Sequence, residues 1–167
     1  MDLHTTLSLF STTAIVLAGI FGGIQLRQLY KQRSRESALQ LVRSFQTPEF
    51  TDAVDIVFNI PEGLSKKEIE ERLGDDITSV LVMFGTFESL GILVFRREIK
   101  MEVVDDFFSG IIILSWKKFR NYIEEMRKQG KRDTYYEWAQ WLAEQFEKRE
   151  SHTPAVPAYI AHRDWEE

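Results

Sequence analysis

Apolar positions recur with a helical period along most of this chain, but its opening stretch has no polar face at all. Between Asp2 and Arg27 only His4 can carry charge, and the run from Leu7 to Leu26 is apolar or weakly polar throughout. At about 1.5 Å per residue that run reaches roughly 30 Å, the thickness of a bilayer's hydrocarbon core. The pattern predicts a transmembrane anchor over residues 1–28. Beyond it, Ala38, Leu41, Val42 and Phe45 fall at i, i+3, i+4, i+7, so the helix is expected to continue until Thr47-Pro48. Thr47 as N-cap and Pro48 at the first position open a helix with the stripe Phe50, Ala53, Val54, Val57, Phe58, which Pro61 and Gly63 end.

Ser65 and Glu68 have capping-box spacing, with Gly74 as the stop and Asp75 or Asp76 capping the next element. The run Ile77–Phe95 is apolar nearly all round, which predicts the central helix of the domain. A second membrane span is the competing reading. Glu88 in its middle and the cations Arg96, Arg97 and Lys100 at its end oppose that reading. A further helix is predicted from Met101 or Glu102 to Gly130, interrupted or bent near Gly110, with Val104, Phe107, Phe108, Ile112, Trp116, Phe119, Ile123 and Met126 inward. Asp133 is expected to cap the last helix, whose stripe is Tyr135, Trp138, Ala139, Leu142 and Phe146. Strand signals are nearly absent. The fold expected is all-α: a transmembrane helix continuing into a bundle of about five helices over residues 29–150, then an extended, mobile tail over 151–167.

Charge sharpens the anchor reading. Arg27, Lys31, Arg33 and Arg35 follow the span while only Asp2 and His4 precede it, so the positive-inside rule places the N-terminus outside and the C-terminal domain in the cytoplasm of an inner membrane of bacterial type. Those four basic side chains are also close enough to meet anionic lipid. A cleaved signal peptide would need its positive charge on the other side of the apolar run. Ala14, Ala18 and Gly22 repeat at i, i+4, i+8, and Gly19 with Gly23 makes a Gly-x-x-x-Gly pair, the spacing that lets two membrane helices approach closely. A homodimer is therefore one expected partner, besides the bilayer and an unidentified protein. The whole chain carries a net −5, but residues 36–167 hold 17 Lys+Arg against 25 Asp+Glu, a net −8 that argues against nucleic acid.

The absence of cysteine excludes thiolate metal sites and thiol nucleophiles. His4 lies near one terminus and His152 and His162 near the other, so the three cannot form one site, and the latter pair lacks ligand spacing and supporting carboxylates. No Ser, His and acid arrangement and no phosphate-binding glycine loop appears. The sequence thus points to no catalytic residue, no cofactor and no metal. Trp116 and Trp138 fall on inward stripes and are expected in the core; Trp141 lies off the stripe and marks a possible partner surface. Gly85 and Gly91 are expected to permit close helix packing.

Phe87-Glu88-Ser89-Leu90-Gly91, then Trp116, Arg127 and Tyr136-Glu137-Trp138-Ala139-Gln140-Trp141-Leu142 are similar in order to an uncharacterised bacterial family, the domain of unknown function 4760 type. The resemblance covers most of the chain from the anchor to about Phe146. It implies a single N-terminal anchor, a basic juxtamembrane stretch and a small helical domain, and it transfers no catalytic residue because the family carries no assigned activity. A glycine typical of the family is missing from the turn Arg96–Lys100. Glu88 on an apolar helix is costly to bury unpaired, and the resemblance places Arg127 best to meet it, so a structural ion pair Glu88–Arg127 is expected. The function expected is a membrane-anchored helical interaction, regulatory or scaffold module without enzymatic activity. The alternative is a small-ligand sensor or enzyme with a pocket near Glu88 and Arg127, which an open polar cleft there would favour.

Overall fold

The computed structural model describes residues 19–29, 45, 47–152 and 156–166. The chain divides into two compact units, Met1–Arg43 and Ser44–Glu167. In the first, residues 19–29 are helical (α1) and present Ile20, Phe21, Ile24, Leu26 and Leu29, each more than half exposed. Most of the predicted anchor, with Ala14 and Ala18, and the basic positions Lys31, Arg33 and Arg35 lie outside the described residues.

The second unit is helical, with no strand among the described residues. Its first helix, α2 (Pro48–Asn59), begins as its sequence predicts: Phe50 N–H donates to Thr47 Oγ1 at 3.2 Å, and Pro48 occupies the first turn, where its missing N–H costs nothing. The short helix α3 (Lys66–Leu73) carries the full capping box, with Glu68 N–H donating to Ser65 Oγ and Ser65 N–H donating to Glu68 Oε2. Gly74 ends it at φ 52, a left-handed value that a side chain would strain. Asp76 stands at the N-cap position of the next helix, but its side chain makes no capping hydrogen bond. Instead a 3₁₀ turn (Gly74–Asp76) leads directly into α4 (Ile77–Phe95).

Helix α4 is the core of the unit, because it packs on α2 along one side and on α6 (Glu137–His152) along another. It buries Val80, Met83, Phe84, Phe87, Leu90, Gly91 and Val94. By length and composition one helical stretch among the described residues, Lys66–Phe95, is apolar enough to cross a membrane. The helix α5 (Met101–Gly130) runs through Gly110 without interruption, and Gly110 is exposed with open space around it. The expected interruption at Gly110 is absent, in keeping with the buried apolar stripe on either side of it, Val104, Ile112, Ile113, Trp116, Phe119 and Ile123.

Two positions of the predicted stripes turn outward: Phe58 is 64% and Phe107 58% exposed. Phe45 closes the bundle at the side where the chain arrives, with its ring stacked on Phe108 at 3.6 Å and edge-on to Phe50 at 4.7 Å. Helix α6 extends through His152 and buries Ala139, Leu142, Ala143 and Phe146. After it a short helix, α7 (Ala158–Ala161), replaces the expected extended tail, and Tyr159, Ile160 and Trp165 are all exposed.

Candidate functional site: the α4–α6 joint

The residues singled out by the sequence converge where α6 begins. Helix α6 has no conventional cap. The residue before its first turn is Tyr136, held at φ 53, which is not a residue type that caps a helix with its side chain. Asp133, expected as the cap, lies in the preceding turn too far upstream.

The cap comes from another helix. Glu88 Oε2 accepts from Trp138 N–H and Ala139 N–H, both at 2.9 Å, so a carboxylate fifty residues away satisfies the two amides an N-cap side chain would ordinarily take. The helix macrodipole favours a negative group at that end. One turn further along α4, Gly91 lets the two backbones approach: a Cβ there would stand 2.5 Å from Trp138 O and 2.9 Å from Trp138 Cβ. Glu88 and Gly91 are three residues apart and so share one helix face. The joint needs both, one to bond the end of α6 and the other to make room for it.

Arg127 serves the same loop from α5. Its Nε donates to Tyr135 O at 2.9 Å and its Nη1 to Gln140 Oε1 at 2.6 Å, while the guanidinium lies 5.8 Å from the centroid of the Trp116 ring. Its Nη2 is buried without a hydrogen-bond partner. Among the described residues no ion pair joins Glu88 to Arg127; the expected contact gives way because Glu88 is taken up by the amides of Trp138 and Ala139 and Arg127 by the Tyr135 carbonyl and the Gln140 side chain. Burial pushes the Glu88 carboxyl up from the usual carboxylate range; the amides of Ala139 and Trp138 pull against it, Glu137 adds to it, and Arg127 is a smaller opposing influence. Burial likewise raises the Tyr136 phenol.

Chemically this is a joint. The carboxylate is committed to two amides, and no nucleophile and base stand within bonding distance of it among the interactions described. Among the described residues no cluster of His, Cys, Asp or Glu is suited to a metal ion. Two open grooves lie elsewhere: one of about 690 Å³ between Met101, Asp105 and Arg149, the other of about 510 Å³ beside Ser65, Glu68 and Asn121. Glu88 and Arg127 line neither. In the first, Arg149 Nη2 meets Glu102 Oε1 at 3.2 Å in a hydrogen bond, whereas its Nη1 lies 3.3 Å from Asp105 Oδ2 without hydrogen-bond alignment.

Trp116 is buried as expected, but Trp138 is only half-buried. Its ring lies 4.8 Å from Phe95, and Trp141 lies 6.0 Å from both, so the three form a cluster at the surface beyond the joint. The sequence singles out Glu88, Arg127 and Gly91, whereas Tyr136 and Gln140 stand in the motif Tyr136–Leu142 without a role that the sequence assigns. The signal available was negative: Tyr135-Tyr136 precedes α6 where Ser, Thr, Asp or Asn would be needed, which calls for a cap from outside.

The profile of a domain of unknown function, DUF4760, matches residues 12–146. The chain belongs to that family. The match includes Glu88, Gly91, Arg127 and the first turns of α6, so the whole α4–α6 joint lies within the family's domain. No curated protein and no solved structure matches the chain.

Proposed function

We propose that this DUF4760 protein is a bitopic protein of a bacterial inner membrane, N-terminus outside, whose cytoplasmic helical domain is an interaction or scaffold module for a protein partner. The observation that carries the reading is the charge-free run Leu7–Leu26 followed at once by Arg27, Lys31, Arg33 and Arg35. Supporting it, the described part of α1 leaves Ile20, Phe21, Ile24, Leu26 and Leu29 uncovered, which water disfavours and lipid does not. An interaction role rather than catalysis is supported by the joint, where the polar groups at Glu88 and Arg127 are spent on holding α6. The acidic balance of the domain favours basic or neutral protein partners over nucleic acid. Gly19, Gly22 and Gly23, around which an added Cβ meets nothing within 4 Å, support self-association through α1.

Because the chain has no cysteine, single thiols report topology without background. With Asp2→Cys and, separately, Asp164→Cys in intact cells, a membrane-impermeant maleimide should label the first and spare the second until the cells are opened. Labelling of both, or recovery of the full chain in the aqueous supernatant, overturns the reading. Replacing Gly19, Gly22 and Gly23 by Leu should abolish a dimer signal measured in the membrane; an unchanged signal removes the self-association.

A further inference from the structure

At the end of α4 an exposed aromatic group meets a cluster of unpaired cations. Phe95 is 60% exposed and leans on Trp138 and Trp141. The turn that follows carries Arg96, Arg97 and Lys100, all exposed, and none of them forms an ion pair among the described residues. Only Glu98 opposes them in that turn. This is a local excess of positive charge on a unit that is otherwise strongly acidic.

The turn keeps its cations at a conformational cost. Arg97 sits at φ 60, with its N–H donating to Val94 O and Glu98 N–H donating to Leu93 O, both at 2.9 Å. That is the hydrogen-bond pattern of a helix end whose left-handed residue is usually glycine. An arginine in that position retains strain that glycine would remove, and such retained strain points to a role for the side chain.

We infer that Phe95, Trp138 and Trp141, with Arg96, Arg97 and Lys100, form a docking surface that seats the domain on an anionic bilayer. The inference rests on the anchor reading. Tryptophan favours the headgroup boundary, phenylalanine inserts on the apolar side of interfacial surfaces, and arginine and lysine are drawn to an anionic leaflet, so the patch unites these requirements. Position agrees with composition. Phe45, the point at which the chain reaches the domain, stacks on Phe108, about 10 Å along α5 from the start of that helix, and that start immediately follows the cationic turn. Residues 30–44 reach at most about 50 Å even fully extended, so an anchored chain keeps the patch at high effective concentration above the lipid. A soluble acidic partner could satisfy the cations but gives no reason for this placement beside the arriving chain.

The test uses the full chain in vesicles containing phosphatidylglycerol and a small fraction of nitroxide-bearing lipid. An environment-sensitive fluorophore is attached at Glu98→Cys in the turn or, in a separate preparation, at Asp75→Cys at the opposite end of α4. The chain should co-float with the vesicles, and the label at 98 should be quenched at least twice as strongly as that at 75. In phosphatidylcholine vesicles, in high salt, or with Arg96→Glu and Arg97→Glu combined, quenching at 98 should fall to the level at 75. Circular dichroism checks that the double variant keeps its helices; both side chains are exposed. Co-flotation with equal quenching at the two positions overturns the docking surface and leaves the anchor standing. A chain that does not co-float overturns both.

Discussion

A single carboxylate does the work that the sequence in front of α6 leaves undone. Glu88 accepts from two amides that have no other cap, so Glu88→Ala strands both and should lower the unfolding free energy by about 2 kcal/mol. Glu88→Gln keeps an acceptor oxygen at the same place and should lose less than half of that, as urea unfolding followed by circular dichroism will measure. The pH dependence separates the two roles of the side chain. Burial raises the folded carboxyl above its unfolded value, so the folded chain holds a proton that the unfolded chain has released. The stability this gives is complete below the unfolded value and is lost as pH rises through the raised one. Wild type minus Glu88→Gln should therefore decline as pH rises above the ordinary carboxylate range. A difference that rises with pH would show that the amides outweigh burial. At Arg97 the sign is opposite for stability and for the proposed membrane contact. Arg97→Gly relieves a left-handed side chain and should stabilise the domain by about 1 kcal/mol in thermal unfolding, while removing one of the cations of the patch.

Elements whose signals are local were legible in the sequence, and those whose signals are distant were not. Helices α2 and α3 begin where Thr47 and Ser65 place them because each cap lies within three residues of the amide it serves. The central helix Ile77–Phe95 likewise declared itself by unbroken apolarity. The start of α6 did not, because its cap arrives from α4 across fifty residues and no period or spacing around residue 133 records it. The same reason misplaced the partner of Glu88. An acid on an apolar helix, with Arg127 as the cation the family resemblance offered it, implied a mutual contact, whereas Glu88 bonds the amides of Trp138 and Ala139 and Arg127 bonds the carbonyl of Tyr135 and the side chain of Gln140. Stripe reading failed at Phe58 and Phe107 because a helical period assigns a face but does not say where the covering helix ends. Gly91 was legible only as a permissive residue, and the structure gives it a fixed neighbour. Gly91→Ala would put a methyl against the carbonyl of Trp138, so α6 must shift away and Glu88 must lose at least one of its amides. The expected cost is about 2–3 kcal/mol, combining overpacking with the lost bond. Combining Gly91→Ala with Glu88→Ala should cost less than the two separately, since both act on one joint. Additivity in the double variant would refute a shared joint.

At the scale of the whole molecule the proposed membrane reading turns on which apolar helix would face lipid. Composition admits two answers, since both the opening run and the stretch ending at Phe95 are long and apolar enough. Packing distinguishes them. Helix α4 has α2 and α6 against it and buries side chains on more than one face, whereas the described part of α1 has its apolar side chains exposed. Placing α4 in a bilayer would require α2 and α6 to leave it, exposing Ala53, Val57, Leu142 and Phe146, and it would carry Glu88 into hydrocarbon without its two amides. Removing residues 1–43 takes away the first compact unit and leaves the second complete, Phe45 included. That shortened chain should fractionate with the aqueous phase, show high helicity, and unfold in one cooperative step in urea. If α4 is instead a membrane span, the shortened chain will stay in the membrane pellet after alkaline extraction despite having lost the proposed anchor. The same preparation tests the bundle's closure: Phe45→Ala should destabilise it by about 3 kcal/mol, because the ring is buried between Phe50 and Phe108 where the chain arrives. A null effect there would mean that Phe45 is not part of the cooperative core.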